Sequence, residues 1–428
     1  MMQPPFNAEA RRPKVLFLGL LYPDVEDDAN LYTELVEELD RAGVEVHVVA
    51  PAVEPTKVGL RTEGGLPVLR VATGPLFGIG LVRKAINNLL LPVRYYTAIR
   101  RHVRTWRPDW VITPTPPITL TPLVWWLKRK TGARSYLVLR DIFPQNAVDL
   151  GFMSARGPSH RFFRMLERWT YAVSDRIGCM SPGNGNYVIN HNPGVDPAKL
   201  HLLPNWIAER HVVAQRGSRT SRERWKADDS DLLCVFGGNL GKPQRVVFLV
   251  DVAETLKDDR RIRFVIVGRG TERESLMRAI AERKLENITM FEQLPRAEYQ
   301  ELLASADVGI VLLHQAFTIP NIPSRLTGYW AAGVAVLAAT DEATDFDEAF
   351  LSRYGGGAWV RMGDVAGFAE KLRWFAENPD AVAETGARGR QAVLQHFTAR
   401  TAAETVVAQF EQVDGVVAFR GAGRTQGS

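Results

Sequence analysis

The sequence predicts an α/β protein of two tandem domains, each a parallel sheet wrapped by helices, facing one another across a cleft. Three observations carry this. The chain has 428 residues, too many for one ordinary hydrophobic core. Short apolar runs alternate with stretches of helical spacing, as in sheets covered on both faces. That alternation ends near Pro204-Asn205-Trp206 and restarts at Leu232.

Residues 14–20 read as the first buried strand. Residues 30–42 follow with helical apolar spacing at Leu31, Leu35, Val36 and Leu39, ended by Gly43. Residues 44–50, 110–113, 134–140 and 176–180 are the next strands, with right-handed crossovers as the default. Residues 209–230 are polar and charged, and read as the start of a linker. The second series of strands is 232–236, 262–267, 288–291, 308–313 and 334–338. An amphipathic helix over 398–410 closes the chain, and the tail 421–428 is expected to be mobile.

Composition bounds the class. Hydrophobic residues make up 46% and charged residues 24%, as in soluble globular proteins. Cys179 and Cys234 lie far apart in apolar runs, so they read as core residues in a reducing compartment. The first 13 residues have no apolar core after their charges, which argues against a signal peptide. No run of about 18 apolar residues predicts a spanning helix. The eight histidines and two cysteines show no zinc spacing.

The net charge of +5 is modest, but its cations cluster. Arg83, Lys84, Arg94, Arg100, Arg101, Arg104 and Arg107 have no acid among them, and Tyr95, Tyr96 and Trp106 are interleaved. Pro92 is expected to break or kink any helix there. Trp125-Trp126-Leu127-Lys128-Arg129-Lys130 repeats the theme. This suits an anionic membrane surface or a lipid diphosphate; a solvated basic face over the sheet is the alternative. No motif supports nucleic acid.

The most informative stretch is 320–340. After a buried strand, Pro323-Ser324-Arg325 opens a short helix that Gly333 ends before another strand. A helix start at the carboxyl edge of a parallel sheet suits a phosphate, and Arg325 adds a fixed charge. Residues 237–246, Gly-Gly-Asn-Leu-Gly-Lys-Pro-Gln-Arg-Val, repeat that arrangement. Glycines let a ligand approach, and Lys242 and Arg245 stand where structure alone would favour acids. Two such starts suit a diphosphate. Val267-Gly268-Arg269-Gly270 is a third strand-end glycine pair. Neither a G-x-G-x-x-G fingerprint nor a P-loop is present, which argues against a dehydrogenase or a P-loop NTPase. Arg140-Asp141 at a strand end reads as acceptor positioning or proton handling, or else as a structural ion pair. His314, just after a strand, is within reach of the same ligand.

In these segments the chain resembles a GT-B glycosyltransferase of family four, over most of residues 14–412. The resemblance lies in Arg140-Asp141-Ile142-Phe143-Pro144-Gln145, Ser181-Pro182-Gly183 and Leu203-Pro204-Asn205. It continues in Gly238-Asn239-Leu240-Gly241-Lys242, the 265–270 run, Ala306-Asp307-Val308, and Pro323-Ser324-Arg325-Leu326 with Ala332-Gly333. The chain is most similar to the subgroup that adds sugars to lipid-linked precursors of bacterial surface polysaccharide, of colanic acid and O-antigen type.

The resemblance implies two Rossmann-like domains: 1–206 for the acceptor, 207–397 for the nucleotide sugar, and 398–428 as a helix crossing back to the first domain plus a tail. It implies retaining transfer of a hexosyl or deoxyhexosyl group from a UDP- or GDP-linked donor to a glycan or lipid-diphosphate acceptor. Neither metal nor other cofactor is expected, and the location is cytoplasmic, peripheral on the inner face of the plasma membrane. Carried over by position, Lys242 meets the diphosphate, Gly238 gives it room and Arg325 acts nearby. Arg140 stands where many relatives have histidine, and Asp141 matches. Asn239, Arg245, Gly268, Arg269, His314, Pro323, Ser324 and Tyr329 complete the expected substrate-binding set, and Asn321 is counted with Lys242, Arg140 and Asp141 as catalytic. The family's two glutamates fall on Asn321 and Tyr329, neither a carboxylate. Ala335 replaces the usual proline, and Arg245 a common glycine. A non-catalytic scaffold partner of another transferase is therefore the second reading.

Overall fold

The computed structural model describes residues 12–23, 30–52, 54–76, 80–212 and 219–414. The expectations for the extreme N-terminus, for the 421–428 tail and for part of the linker fall outside these residues.

The first lobe holds an eight-stranded sheet: β1 (Lys14–Leu18), β2 (Glu45–Pro51), β3 (Gly59–Glu63), β4 (Leu66–Val71), β5 (Trp110–Pro114), β6 (Arg134–Leu139), β7 (Arg176–Cys179) and β8 (Leu200–Leu202). The order is β3-β4-β2-β1-β5-β6-β7-β8. Every neighbouring pair is parallel except β3 with β4. The second lobe holds β9 (Leu232–Gly237), β10 (Ile262–Val267), β11 (Ile288–Phe291), β12 (Val308–Leu312), β13 (Ala335–Thr340) and β14 (Gly357–Arg361). These six are all parallel, in the order β11-β10-β9-β12-β13-β14. In each sheet the order reverses beside its first strand, between β1 and β5 and between β9 and β12. Ligands of such sheets bind outside the carboxyl ends at that reversal.

Burial on both faces explains the continuous apolar runs. Along β9, Leu232, Cys234 and Phe236 pack into one core with Val250 and Phe368. Leu233 and Val235 point the other way, onto Leu326, Trp330 and Val393. The first lobe repeats the device, with Val15 and Phe17 on one side and Leu16 and Leu18 on the other.

The chain crosses between lobes twice, side by side. Ile207 N donates to the Phe397 carbonyl (3.0 Å), and Ala399 N donates to the Ile207 carbonyl (2.9 Å). Helix Ala399–Asp414 then lies on the first lobe, where Val406 and Phe410 join the core of Leu35. The Phe410 ring stacks on Trp110 at 4.5 Å.

Three departures from the sequence expectation have physical causes. The β3–β4 hairpin turns at Gly64-Gly65, both at positive φ (56° and 82°). It escaped notice because β3 is a polar, exposed edge strand. Helix Leu81–Ile99 runs unbroken through Pro92. Its inner residues Leu91, Tyr95 and Ile99 are fully buried, and that packing outweighs the lost backbone hydrogen bond. Residues 219–225 belong to the second lobe rather than to a free linker. The buried Arg222 guanidinium donates to Asp307 Oδ2 at 2.8 Å, and Trp225 is core.

Candidate active site

Three strand ends standing side by side, those of β10, β9 and β12, form one wall of the cleft. β9 runs into Gly237-Gly238. Gly238 has φ +126°, and a Cβ there would sit 3.4 Å from Arg325 Nη2. Gly268 at φ +150° packs closer still: a Cβ would lie 1.9 Å from the Gly238 carbonyl oxygen. Only glycine permits this interlock.

The loop beyond is held by Leu240 N donating to the Arg269 carbonyl (2.9 Å) and by the Asn239 amide donating to Gln244 Oε1 (2.9 Å). Lys242–Gln244 form a single 3-10 turn, and Arg245 is left-handed (φ 45°, ψ 51°). Helix Val247–Thr255 begins only afterwards. The cations thus precede the helix instead of standing in its first turn. A left-handed arginine is unfavourable locally and points to a constrained loop.

Arg325 opens a helix of seven residues, Arg325–Ala331, so its charge matters more than a helix dipole. Its guanidinium lies 4.4 Å from the Phe236 ring. Nη1 is buried with no hydrogen-bond partner among the described residues. Burial lowers its pKa, partly opposed by Tyr329 and Tyr299. A buried, unpaired guanidinium nitrogen beside glycine backbone calls for an anion.

Tyr329 forms part of the pocket wall, but its ring is largely spent on packing. Its side chain is core, 1% exposed, and its hydroxyl accepts from Gly237 N at 3.0 Å. Gly309 admits the ring: a Cβ there would lie 2.3 Å from Tyr329 Cγ. The adjacent position, Gly328, borders the pocket, and a Cβ there would meet nothing within 4 Å. Both positions border the pocket, so the place carried over for the second glutamate holds a packed tyrosine and its neighbour is bare. Asn321 is displaced too. Its backbone is pinned by Thr344, its N–H donating to Oγ1 (3.1 Å) and its carbonyl accepting from that hydroxyl (2.7 Å). It does not line the pocket.

The pocket itself has a volume of about 910 Å³, enough for a nucleotide sugar. It brings together Gly238, Asn239, Gly268, Arg269, Ser324, Arg325 and Tyr329 from the sequence expectation, whereas Lys242, Arg245, His314 and Pro323 do not line it. Reasoning from sequence missed Gln293, Arg296 and Tyr299, contributed by the loop after β11 and the helix that follows. Three arginines, 269, 296 and 325, line it, and no carboxylate does. Arg296 also reaches across to Glu34 of the first lobe (3.7 Å).

Lys242 spans the cleft. Its ammonium donates to the Leu150 carbonyl and lies 5.4 Å from the Phe152 ring, both in the first lobe. His314 Nδ1 accepts from Ala316 N (3.1 Å), which leaves the proton on Nε2. Its pKa is lowered by burial, then by Arg245 and Lys242, so it is neutral at pH 7. The Arg245 guanidinium has no hydrogen-bond or ion-pair partner among the described residues.

Across the cleft, Arg140 and Asp141 directly follow β6. The Arg140 guanidinium is turned to the interlobe crossing. It donates to the carbonyls of Leu203 (2.9 Å) and Pro204 (3.4 Å) and lies 4.4 Å from the Trp206 ring. Burial lowers its pKa to about 10. It is a strut, and the expectation of direct catalysis is corrected on that ground. Asp141 accepts no hydrogen bond from described residues, and burial raises its pKa, opposed by Arg140. Among the described residues no three His, Cys, Asp or Glu side chains gather as metal ligands.

Two parallel-sheet lobes with a cation-lined cleft at the strand ends are the build of a GT-B transferase. Family models extend this. Residues 30–206 match the glycosyl transferase 4-like domain, and residues 217–392 match glycosyl transferases group 1. The chain belongs to the GT-B glycosyltransferases of family four. It is 26% identical to WcaI of Escherichia coli K12, named as a colanic acid biosynthesis glycosyl transferase, over 75% of this chain and 81% of that one. It is 24% identical to WbjE of Pseudomonas aeruginosa, named as a glycosyltransferase. That match covers 56% of this chain and only 60% of the relative's length. HepE of Anabaena, solved with UDP-glucose, superposes with a TM-score of 0.67 at 14% identity, over 93% of this chain and 99% of that one.

Proposed function

We propose that this protein moves a sugar from a UDP- or GDP-linked donor to a glycan or lipid-diphosphate acceptor in cell-envelope polysaccharide biosynthesis, with retention of configuration. The observation that carries the reading is Arg325 Nη1, buried and unpaired beside Gly238, in a pocket of three arginines and no acid. The diphosphate lies against the Gly238 backbone and Arg325, with Arg245 and His314 Nε2–H within the same loop cluster. As the glycosidic bond breaks, negative charge grows on the departing phosphate, and these fixed cations stabilise it in place of a metal. Lys242 leaves the Leu150 carbonyl for the diphosphate when donor binds. Asp141, its carboxyl raised in pKa, orients and receives the proton of the acceptor hydroxyl. HepE and WcaI support the donor and pathway classes by their names, as relatives.

A mass-spectrometric screen of UDP- and GDP-sugars, with and without lipid-diphosphate acceptors, tests this. Consumption of one donor is expected, and Lys242→Ala should abolish it. No donor consumed by folded protein would leave the second reading, a nucleotide-binding scaffold. The bare Gly328 and displaced Asn321 favour that reading.

The acceptor side suits a membrane. Helices Leu81–Ile99, Thr121–Thr131 and Pro158–Val173 pack side by side. They expose Ile86, Leu89, Val93, Trp125, Phe162 and Met165. Arg100, Arg129, Arg161 and Arg168 stand exposed among them. Arg94 and Lys128 are spent internally, on the Thr73 carbonyl and Asp175. Lys84 lies outside the described side chains. No described helix is long and apolar enough to cross a membrane. The face instead suits peripheral attachment to anionic lipid on the cytoplasmic side, where a lipid-linked acceptor is reached.

A further inference from the structure

A second pocket, of about 720 Å³, opens on the opposite side of the 322–327 segment. It shares no lining residue with the arginine pocket. Both lobes build it: Asn186 and Asn205 from the first, Asp345, Asp347 and Arg353 from the second. Phe350 and Tyr354 form an aromatic wall, their ring centroids 5.1 Å apart.

Its polar groups are incompletely paired. Asp345 Oδ2 accepts from Gly183 N across the lobes (2.7 Å), but Oδ1 is buried with no partner. Asn205 is 6% exposed and spends its amide NH₂ on the Ile322 carbonyl (2.6 Å). No described group donates to its Oδ1. The exposed Arg353 guanidinium has no described partner either. A buried acceptor left without a donor, as at Asp345 Oδ1, is costly, and Asn205 Oδ1 stands open beside it, so the pocket is built for a ligand rich in donors. Two carboxylates against one guanidinium disfavour phosphates, which excludes the nucleotide that the other pocket suits. Hydroxyl donors on an apolar C–H framework, packed on aromatic rings, describe a carbohydrate.

We infer that this interlobe pocket binds a neutral glycan segment, apart from the donor site. Hydroxyls donate to Asp345 Oδ1 and Asn205 Oδ1, Arg353 donates to a ring or glycosidic oxygen, and a sugar face rests on Phe350 and Tyr354. A segment held there touches both lobes and keeps a growing chain beside the cleft between transfers.

Saturation-transfer difference NMR on the full chain tests this, with neutral gluco-, manno-, galacto- and fuco-trisaccharides, each with and without saturating UDP. Ala349 is exposed on the pocket rim, and Ala349→Trp fills the space. Arg353→Ala is a second, milder variant at an exposed position. The expected result is transfer to at least one trisaccharide, unchanged by UDP. Affinity should fall at least tenfold in Ala349→Trp and about threefold to tenfold in Arg353→Ala, with thermal melts near wild type. Transfer to no trisaccharide, loss of signal on adding UDP, or full affinity in both variants overturns the inference. The nucleotide-free arm reads the glycan alone, so its outcome does not depend on the donor assignment.

Discussion

The two pockets flanking residues 322–329 are built from the same short segment, yet their linings have opposite charge. One presents Arg269, Arg296 and Arg325 without an acid; the other presents Asp345 and Asp347 against Arg353. Helix Arg325–Ala331 separates them, giving Arg325 and Gly328 to the first and Leu326 and Thr327 to the second. Charge, more than size, sets what each admits: 910 and 720 Å³ both hold a ligand of several rings. The occupants proposed above follow that contrast: a diphosphate for the cationic pocket and a neutral glycan for the acidic one.

The sharpest way to break this contrast is Arg325→Ala. Losing buried, charge-assisted hydrogen bonds should weaken UDP or GDP binding about a hundredfold in isothermal titration. Trisaccharide binding should stay within about twofold, since that pocket has no arginine from this position. Unchanged nucleotide affinity would remove the first pocket from the mechanism. Next comes Gly309→Ala, which drives a methyl group into the Tyr329 ring. A loss of about 2–3 kcal/mol is expected in urea melts, because Tyr329 is a core strut. A neutral effect would mean the tyrosine is free to swing toward the nucleotide.

A third surface extends the comparison. Arg100→Ala with Arg129→Ala should cost about 2 kcal/mol in binding anionic vesicles, and wild-type binding should weaken as salt rises. Equal sedimentation with neutral vesicles would refute the membrane face. On the acidic side, burial raises the Asp341 carboxyl to about 6, with Asp149 adding to the shift. A folded value above the unfolded one means ionisation favours unfolding. Wild-type stability relative to Asp341→Asn should therefore fall as pH rises from about 4 to about 6, by about 3 kcal/mol, and stay flat above. A gap independent of pH would trace the effect to the turn alone. The smallest effect is Gly328→Ala. The methyl group meets open space, so helix propensity should add about 0.5–1 kcal/mol, with nucleotide affinity nearly unchanged.

Much of the fold was legible because buried parallel strands leave continuous apolar runs. Most elements missed lacked that mark: β3 is a polar edge, β8 has three residues, and β14 begins in glycine; β4 is buried, but Pro67 and Arg70 interrupt its apolar run. Glycines at strand ends were equally legible, since Gly238 and Gly268 must hold φ values that other residues avoid. Helix phase was not. Counting seven residues landed on Tyr329, but the gap at Gly309 draws that ring inward and turns Gly328 outward. Arg296 carried no local signal, because no glycine follows β11. Its one clue was that the loop after β11 belongs to the same row of strand ends.

Local chemistry written along the chain determined the two sheets, their glycine-paved ends and the surplus of cations near them. Which of those cations face the cleft was decided only by packing. Arg140 and Arg325 look alike as letters after a strand. The interlobe crossing supplies carbonyls to both Nη atoms of the first, leaving only its Nε unpaired, while no described group pairs Nη1 of the second. An arginine becomes a binding group when its neighbours leave it unsatisfied, and those neighbours are distant in sequence.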